Sequence, residues 1–376
     1  RLGGSLALVA ALAAVGVALA EVGRVVAAGR SVARSPAAGP SRAVRPGGAA
    51  AVAAAVAAAV VAAVLPVAGI LSPSGAGGHL PAIRVGLVQG GGPRGTRAIN
   101  TDPQVVFDRH LAESSRLAGP LDLVVWPEGV LQSHSDFTQT VDAADIAALA
   151  AAHQATVIVG VEQDVGRTHY LNMVVAWEPS GRIGGRYVKN HLVPFGEYVP
   201  YRSLIDKLFN LADVPLDGIP GHSSGLLRTP AAPVAVMISY EVFFDERARG
   251  GVRAGGQLLV VPTNTASYRS TQVPTQEVAA DRIRAWETGR WLVQVTPTGY
   301  TTVVGPTGSV ERRSRLGAAA VEEATVPRGT GLTVYDHIGD GWVAGVALAG
   351  WLAVVAVAAR ARRRVRPTGA PCDESA

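Results

Sequence analysis

The chain has 376 residues, of which 48% are hydrophobic and only 17% charged, and its formal net charge is +5. That composition is too apolar for a disordered chain and too poor in charge for an ordinary soluble enzyme of this size. Only two of the 34 basic residues are lysines, Lys189 and Lys207, and the arginines gather beside apolar runs without interleaved aromatics, which argues against nucleic acid as a partner.

The first residue is Arg1, at the edge of an apolar run, so the sequence reads as the C-terminal part of a longer protein. Three apolar segments, residues 2–20, 47–71 and 341–359, reach the length of about 20 residues that a membrane-spanning helix needs. The Ala-rich second segment has an alternative reading as a linker or a buried soluble helix. Arg24, Arg30, Arg34, Arg42 and Arg45 lie between the first two segments, and Arg360, Arg362, Arg363, Arg364 and Arg366 follow the third. By the positive-inside rule both clusters are cytoplasmic. Residues 1–82 are therefore expected to hold two spans joined by a basic loop, residues 83–328 an extracytoplasmic domain, and residues 329–376 a last span with a basic tail. The sole cysteine, Cys372, falls on that tail, as an incidental thiol or a palmitoylation site, and cannot join an internal disulfide.

The middle region reads as an α/β domain. Short Val/Ile/Leu runs at 83–89, 121–126, 156–161, 173–177, 234–239, 258–261 and 291–296 predict buried strands. Helical periodicity predicts helices over 103–117, 141–153, 202–211, 245–254 and 277–288. Turn signals at 179–181, 297–299 and 306–308 predict hairpins. Such alternation argues for a sheet layered with helices.

Polar groups cluster at the ends of two of these runs and of the further segment 186–189: Glu128 after Trp126-Pro127, Lys189 with His191 and Glu197 beyond it, and Ser239 with Tyr240 and Glu241. Catalytic groups in α/β folds sit at strand ends, where a rigid sheet aims them into a crevice. A carboxylate, an ammonium and a hydroxyl together can serve as base, oxyanion stabiliser and nucleophile. In an arginine-dominated chain, the choice of lysine at 189 argues for ammonium chemistry. Gly90–Gly92 lacks the Lys-Ser/Thr of a phosphate loop, and the eight histidines lack ligand spacing, so neither a nucleotide nor a metal is expected.

The order of these elements, WPE, then the run His191–Pro200 (HLVPFGEYVP), then SYE, PTNT and ETGRWLVQVTPTG, resembles the carbon–nitrogen hydrolase (nitrilase) superfamily, and within it the apolipoprotein N-acyltransferases of the actinobacterial type. The resemblance implies a nitrilase-like α-β-β-α sandwich flanked by transmembrane helices in the cell membrane. It implies transfer of a fatty acyl group from a phospholipid donor to a diacylglyceryl-lipoprotein acceptor through an acyl-enzyme, with no cofactor. On that match Glu128 is the base, Lys189 stabilises the oxyanion, Ser239 holds the nucleophile position, Glu197 and Glu241 are supporting glutamates, and Tyr240 flanks the nucleophile. The pattern also departs. Ser239 stands where the family has Cys, Glu277 where it has His, and Asn264-Thr265-Ala266-Ser267 where it has Asn-Asp-Ala-Trp, while the Trp expected within 89–100 is missing. His191 is an alternative base for a serine. Two other functions stay open: a catalytically degenerate membrane scaffold that binds lipid or a partner such as a cytoplasmic glycosyltransferase, and a membrane-tethered amidase.

Overall fold

The computed structural model describes residues 77–342, apart from 212–213 and 269–270, together with the isolated positions 9, 13, 16, 345 and 348. The chain divides into two units, one of Arg1–Leu2 with Leu71–His337 and one of Gly3–Ile70 with Ile338–Ala376, and the described residues belong almost wholly to the first. The expected spans at 2–20, 47–71 and 341–359 lie outside the described residues but for those isolated positions and 341–342. Among the described residues no helix is long and apolar enough to cross a membrane.

The first unit is built on two mixed sheets. The first takes β1 (Gly77–Gln89), β2 (Leu123–Val125), β3 (Leu131–Ser133), β4 (Thr156–Val165), β5 (His169–Trp177), β6 (Ile183–Val188) and the short β7 (Asp217–Gly218). The second takes β8 (Leu226–Leu227), β9 (Val234–Val236), β10 (Leu258–Pro262), β11 (Leu292–Val295), β12 (Thr302–Val304) and β13 (Val310–Arg313), after which β14 (Ala320–Thr330) returns to the first. The strand orders are β14-β1-β2-β4-β5-β6 and β13-β12-β11-β10-β9-β8. β1, β2 and β4 run parallel, as do β9, β10 and β11. Helices α1 (Pro103–Ser114), α2 (Val141–His153), α3 (Arg202–Ile205), α4 (Asp245–Arg253), α5 (Val273–Thr288) and α6 (Val334–Ile338) complete the unit.

Strand alternation sorts the apolar side chains into three cores. Val85, Leu87, Leu123, Val125 and Ile158 of the first sheet meet Val234, Val236, Leu258, Val260 and Val293 of the second. Their neighbours Val88, Val124, Val157 and Val159 turn outward onto Phe107 of α1 and Ala143, Ile146 and Ala150 of α2. On the far side Ala235, Leu259, Val261 and Leu292 pack against Ala248 and Val252 of α4 and Ala280 and Ala285 of α5. The result is the expected α-β-β-α sandwich. Each fully buried Val or Leu contributes about 1.5–3 kcal/mol relative to exposure, so strands buried on both faces are mostly apolar, with a few buried polar exceptions such as Gln89 and Gln294.

All seven expected strands and all three expected hairpins form. The helix expected over 202–211 does not extend that far: α3 ends at Ile205 because none of its residues is buried, and no core rewards a longer helix. The strands β13 and β14 carry too little apolar pattern to be read from sequence. β13 is exposed throughout, and β14 is half-buried at the sheet edge.

Candidate active site

The carboxyl ends of β2 and β9, the end of β6 and the start of α5 converge in one buried polar cluster. Pro127 and Glu128 leave β2 braced on β4: Gly160 N–H donates to the Pro127 carbonyl at 3.0 Å, and Val130 N–H to the Gly160 carbonyl at 3.1 Å. That approach requires glycine, since a Cβ at position 160 would collide with the Pro127 carbonyl oxygen and the Glu128 Cα. Lys189 follows β6 directly, with its backbone N–H on the Asn172 carbonyl at 2.9 Å.

Lys189 is 1% exposed. Its Nζ donates to Glu128 Oε1 at 2.8 Å and to Glu197 Oε1 at 2.9 Å. Asn172 Nδ2 bridges the same two carboxylates at 2.8 and 2.7 Å, and Glu197 Oε2 accepts from Val193 N–H at 2.7 Å. Burial disfavours the Lys189 ammonium, but the Glu128 and Glu197 carboxylates outweigh it and hold the amine above its usual range. Burial raises the Glu128 carboxyl; Lys189 works against that and Glu197 adds to it. Glu162 of β4 stands beside them, pushed up to about 7 by burial and by the charges of Glu128 and Glu197. An ammonium has three N–H donors; two are committed to carboxylates, which leaves one direction for a developing oxyanion.

Ser239 follows β9 at φ 46°, a left-handed conformation that costs a non-glycine residue about 1–3 kcal/mol. It opens a 3-10 turn, Ser239–Phe243, that Glu241 anchors. The Glu241 carboxylate accepts from Ile238 N–H at 2.8 Å, Asn190 N–H at 2.7 Å, His191 N–H at 3.1 Å and the Tyr187 hydroxyl at 2.8 Å. The Ser239 turn is thereby tied to the backbone that carries Lys189. Tyr240 meets Phe244 edge-on at 5.0 Å between ring centroids. The Ser239 hydroxyl donates to Glu277 Oε1 at 3.1 Å. Glu277, on the first turns of α5, also accepts from Thr263 at the end of β10, at 2.9 Å to each oxygen.

Glu128, Lys189 and Glu197 are thus in direct contact, Glu241 anchors the Ser239 turn, and Ser239 reaches Glu277. His191 turns away: its Nε2 lies 3.3 Å from Glu246 Oε1 and its ring stacks on Phe244 at 4.2 Å. Sequence reasoning passed over Asn172, Glu162 and Thr263, and noted Glu277 only as a departure. A lone Asn inside the apolar run of β5, and a Glu beyond the apolar run of β4, were the available signals. A cavity of about 460 Å³ opens beside Gly129, Gln132 and Glu162, next to Glu128, with Arg109, Asn264 and Ser267 also lining it.

Residues 84–330 match the carbon–nitrogen hydrolase family. The apolipoprotein N-acyltransferase of Mycolicibacterium smegmatis is 34% identical over 250 residues, 62% of this chain and 42% of that protein. That of Geobacter metallireducens is 32% identical over 289 residues, 73% of this chain and 55% of that protein. The chain spans about half the length of these curated relatives. A crystal structure of an amidase from Nesterenkonia sp. superimposes with a TM-score of 0.49 at 20% identity, over 68% of this chain and 93% of the amidase.

Proposed function

The chain belongs to the carbon–nitrogen hydrolase family, and from that premise we propose that it moves a fatty acyl group from a phospholipid to the α-amine of a lipoprotein's diacylglyceryl-cysteine, by way of an ester on Ser239. The names of the relatives support the substrate class. The observation that carries the chemistry is the buried Lys189, clamped between Glu128 and Glu197 in the same cluster as a strained, carboxylate-bonded Ser239.

In this reading Lys189 turns its remaining N–H toward the tetrahedral oxyanion. Glu128 is the acid–base group of the transfer, Glu197 and Glu241 hold the lysine and the nucleophile turn in register, and Tyr240 flanks the nucleophile. The arginine clusters support a domain on the outer face of the cell membrane, with spans at 2–20, 47–71 and 341–359. Phe195, Tyr201, Leu204, Leu208 and Phe209 stand 59–84% exposed within one short stretch of chain. An apolar surface of that kind fits substrates that are themselves lipid-anchored.

Incubating the purified protein with phospholipid vesicles and measuring intact mass tests the reading: one fatty acyl mass should appear on Ser239 and leave when a diacylglyceryl-cysteine peptide is added. A degenerate scaffold would bind vesicles and gain no covalent mass. An amidase would keep no acyl mass from the vesicles and would instead hydrolyse an added fatty amide to fatty acid and amine.

A further inference from the structure

The Ser239 hydroxyl already has a proton acceptor, and that acceptor is not Glu128. Its hydrogen bond runs to Glu277 Oε1 at 3.1 Å. Resting on the acyl-transfer reading above, we propose that Glu277 is the general base that takes the Ser239 proton, while the Glu128–Lys189–Glu197 cluster serves the oxyanion and the incoming amine.

Three observations carry this. The first is placement: Glu277 is held on both oxygens by Thr263, leaving Oε1 aimed at Ser239. The second is the engagement of Glu128. Its Oε1 accepts from both Lys189 and Asn172 at 2.8 Å, so that oxygen is already committed to two donors. The third is the surroundings of Glu277, which is 2% exposed. Burial pushes its carboxyl up to about 7; Thr263 and Ser239, as donors, and the charge of Lys189 lower it, and the charge of Glu128 raises it. A base in that range is matched to proton transfer at neutral pH. The other titratable neighbours are Tyr268, after β10, and Asp281, one turn along α5. Burial, with Glu277 adding, lifts Asp281 well above the usual carboxylate range.

The step balances on the residues present and the ester donor. As Ser239 Oγ bonds to the acyl carbon, its proton passes to Glu277 Oε1. The intermediate collapses, the acyl C–O bond to the glyceryl oxygen breaks, and the proton leaves Glu277 for that oxygen. The products are the Ser239 ester, the lysophospholipid and a Glu277 carboxylate ready to repeat the cycle. When the α-amine attacks the ester, its proton passes to the Glu277 carboxylate and from there to the departing Ser239 Oγ as the serine C–O bond breaks, giving the amide, the free serine and the Glu277 carboxylate again.

An alkyl fluorophosphonate reports the nucleophile alone, because it phosphonylates an activated serine with loss of fluoride and needs no acceptor. Labelling of Ser239 is followed by intact mass between about pH 5 and pH 9, alongside acylation from phosphatidylethanolamine–phosphatidylglycerol vesicles. The wild-type rate should rise with pH through a midpoint near about 7. Glu277→Gln should label at least about 100-fold more slowly and without that rise. Thr263→Val removes the hydroxyl donor that lowers the Glu277 carboxyl and should move the midpoint upward. If Glu277→Gln labels at the wild-type rate with the wild-type profile, the proposal fails and acyl transfer stands with Glu128 as the base. Should Glu277→Gln not fold, an unshifted midpoint in Thr263→Val overturns it instead. A wild-type protein that takes neither phosphonyl nor acyl mass at any pH removes the acyl-transfer reading and this proposal together.

Discussion

Replacing Lys189 by methionine tests whether the polar cluster is held by charge. The substitution keeps most of the side-chain volume but removes an ammonium lying 2.8 Å from Glu128 and 2.9 Å from Glu197. Removing one partner of a buried ion pair costs about 3–5 kcal/mol, because the remaining charge is left uncompensated. Here two carboxylates lose the same cation, which places the cost at the upper end. For a unit of this size each kcal/mol moves the melting temperature by about 2–4 °C, so Lys189→Met should melt at least 10 °C or so lower near pH 8. The loss must also depend on pH. Burial already raises the Glu128 carboxyl, and Lys189 is the largest effect opposing it; in the variant that carboxyl rises further. A carboxyl raised on folding contributes stability that is fully present below its unfolded pKa, about 4.3, and lost as pH rises through its folded value. The deficit should therefore be largest near pH 8 and shrink toward pH 5. Thermal melts in detergent at the two pH values check this. An equal drop at both, or no drop beyond a degree or two, would refute a cluster held by charge.

The other expectations concern different parts of the site. Gly160→Ala should push the Pro127–Glu128 segment off β4, because its Cβ meets backbone rather than a movable side chain; Ser239 acylation should fall at least about 10-fold, read by intact mass. Glu162, raised from 4.5 to about 7, should make the wild-type protein lose about 2–3 kcal/mol of stability as pH rises between those values. Glu162→Gln should flatten that slope in pH-dependent urea melts, and a slope that survives would locate its origin elsewhere. Ser239→Cys should form an acyl-enzyme faster than wild type, since a thiol is the stronger acid and its thiolate the stronger nucleophile toward an ester; a variant that gains no acyl mass would show that the pocket, not the nucleophile, is limiting.

The parts legible in sequence were those where one segment carries its own signal. β4, β5, β9 and β10 are apolar runs because both faces of each are covered, and Glu128 and Ser239 could be picked out because they follow such runs directly. β13 and β14 escaped because half-exposed edge strands need little apolar pattern. The 202–211 stretch misled because its apolar side chains, Leu204, Leu208 and Phe209, stand in solvent rather than on a core. Within the site, the contacts that escaped join distant segments. Asn172 meets Glu128 across 44 residues, and Ser239 meets Glu277 across 38. Only the laying of α5 over the ends of β9 and β10 brings the second pair together, and no local periodicity encodes that.

That second pair changes the meaning of two oddities in the sequence. Read along the chain, a serine where the resembled family has cysteine and a glutamate where it has histidine are separate departures, and each argues for lost catalysis. In the fold they are hydrogen-bonded to one another. A serine hydroxyl is a far weaker acid than a thiol, so it needs a stronger base close by. A glutamate buried until its carboxyl titrates near 7 is such a base, and Thr263 holds it in place. Decay of a site has no reason to put a carboxylate in hydrogen-bonding reach of the substituted nucleophile, nor to keep Lys189 buried between two carboxylates, since a buried cation with its partners drifting away is among the most destabilising arrangements a core can hold. The two substitutions are better understood together, as one coupled change around position 239. On that view the activities of Ser239→Cys and Glu277→Gln are coupled: the glutamine should slow the serine enzyme far more than it slows the cysteine one. Equal slowing of both would leave the pairing without a catalytic meaning.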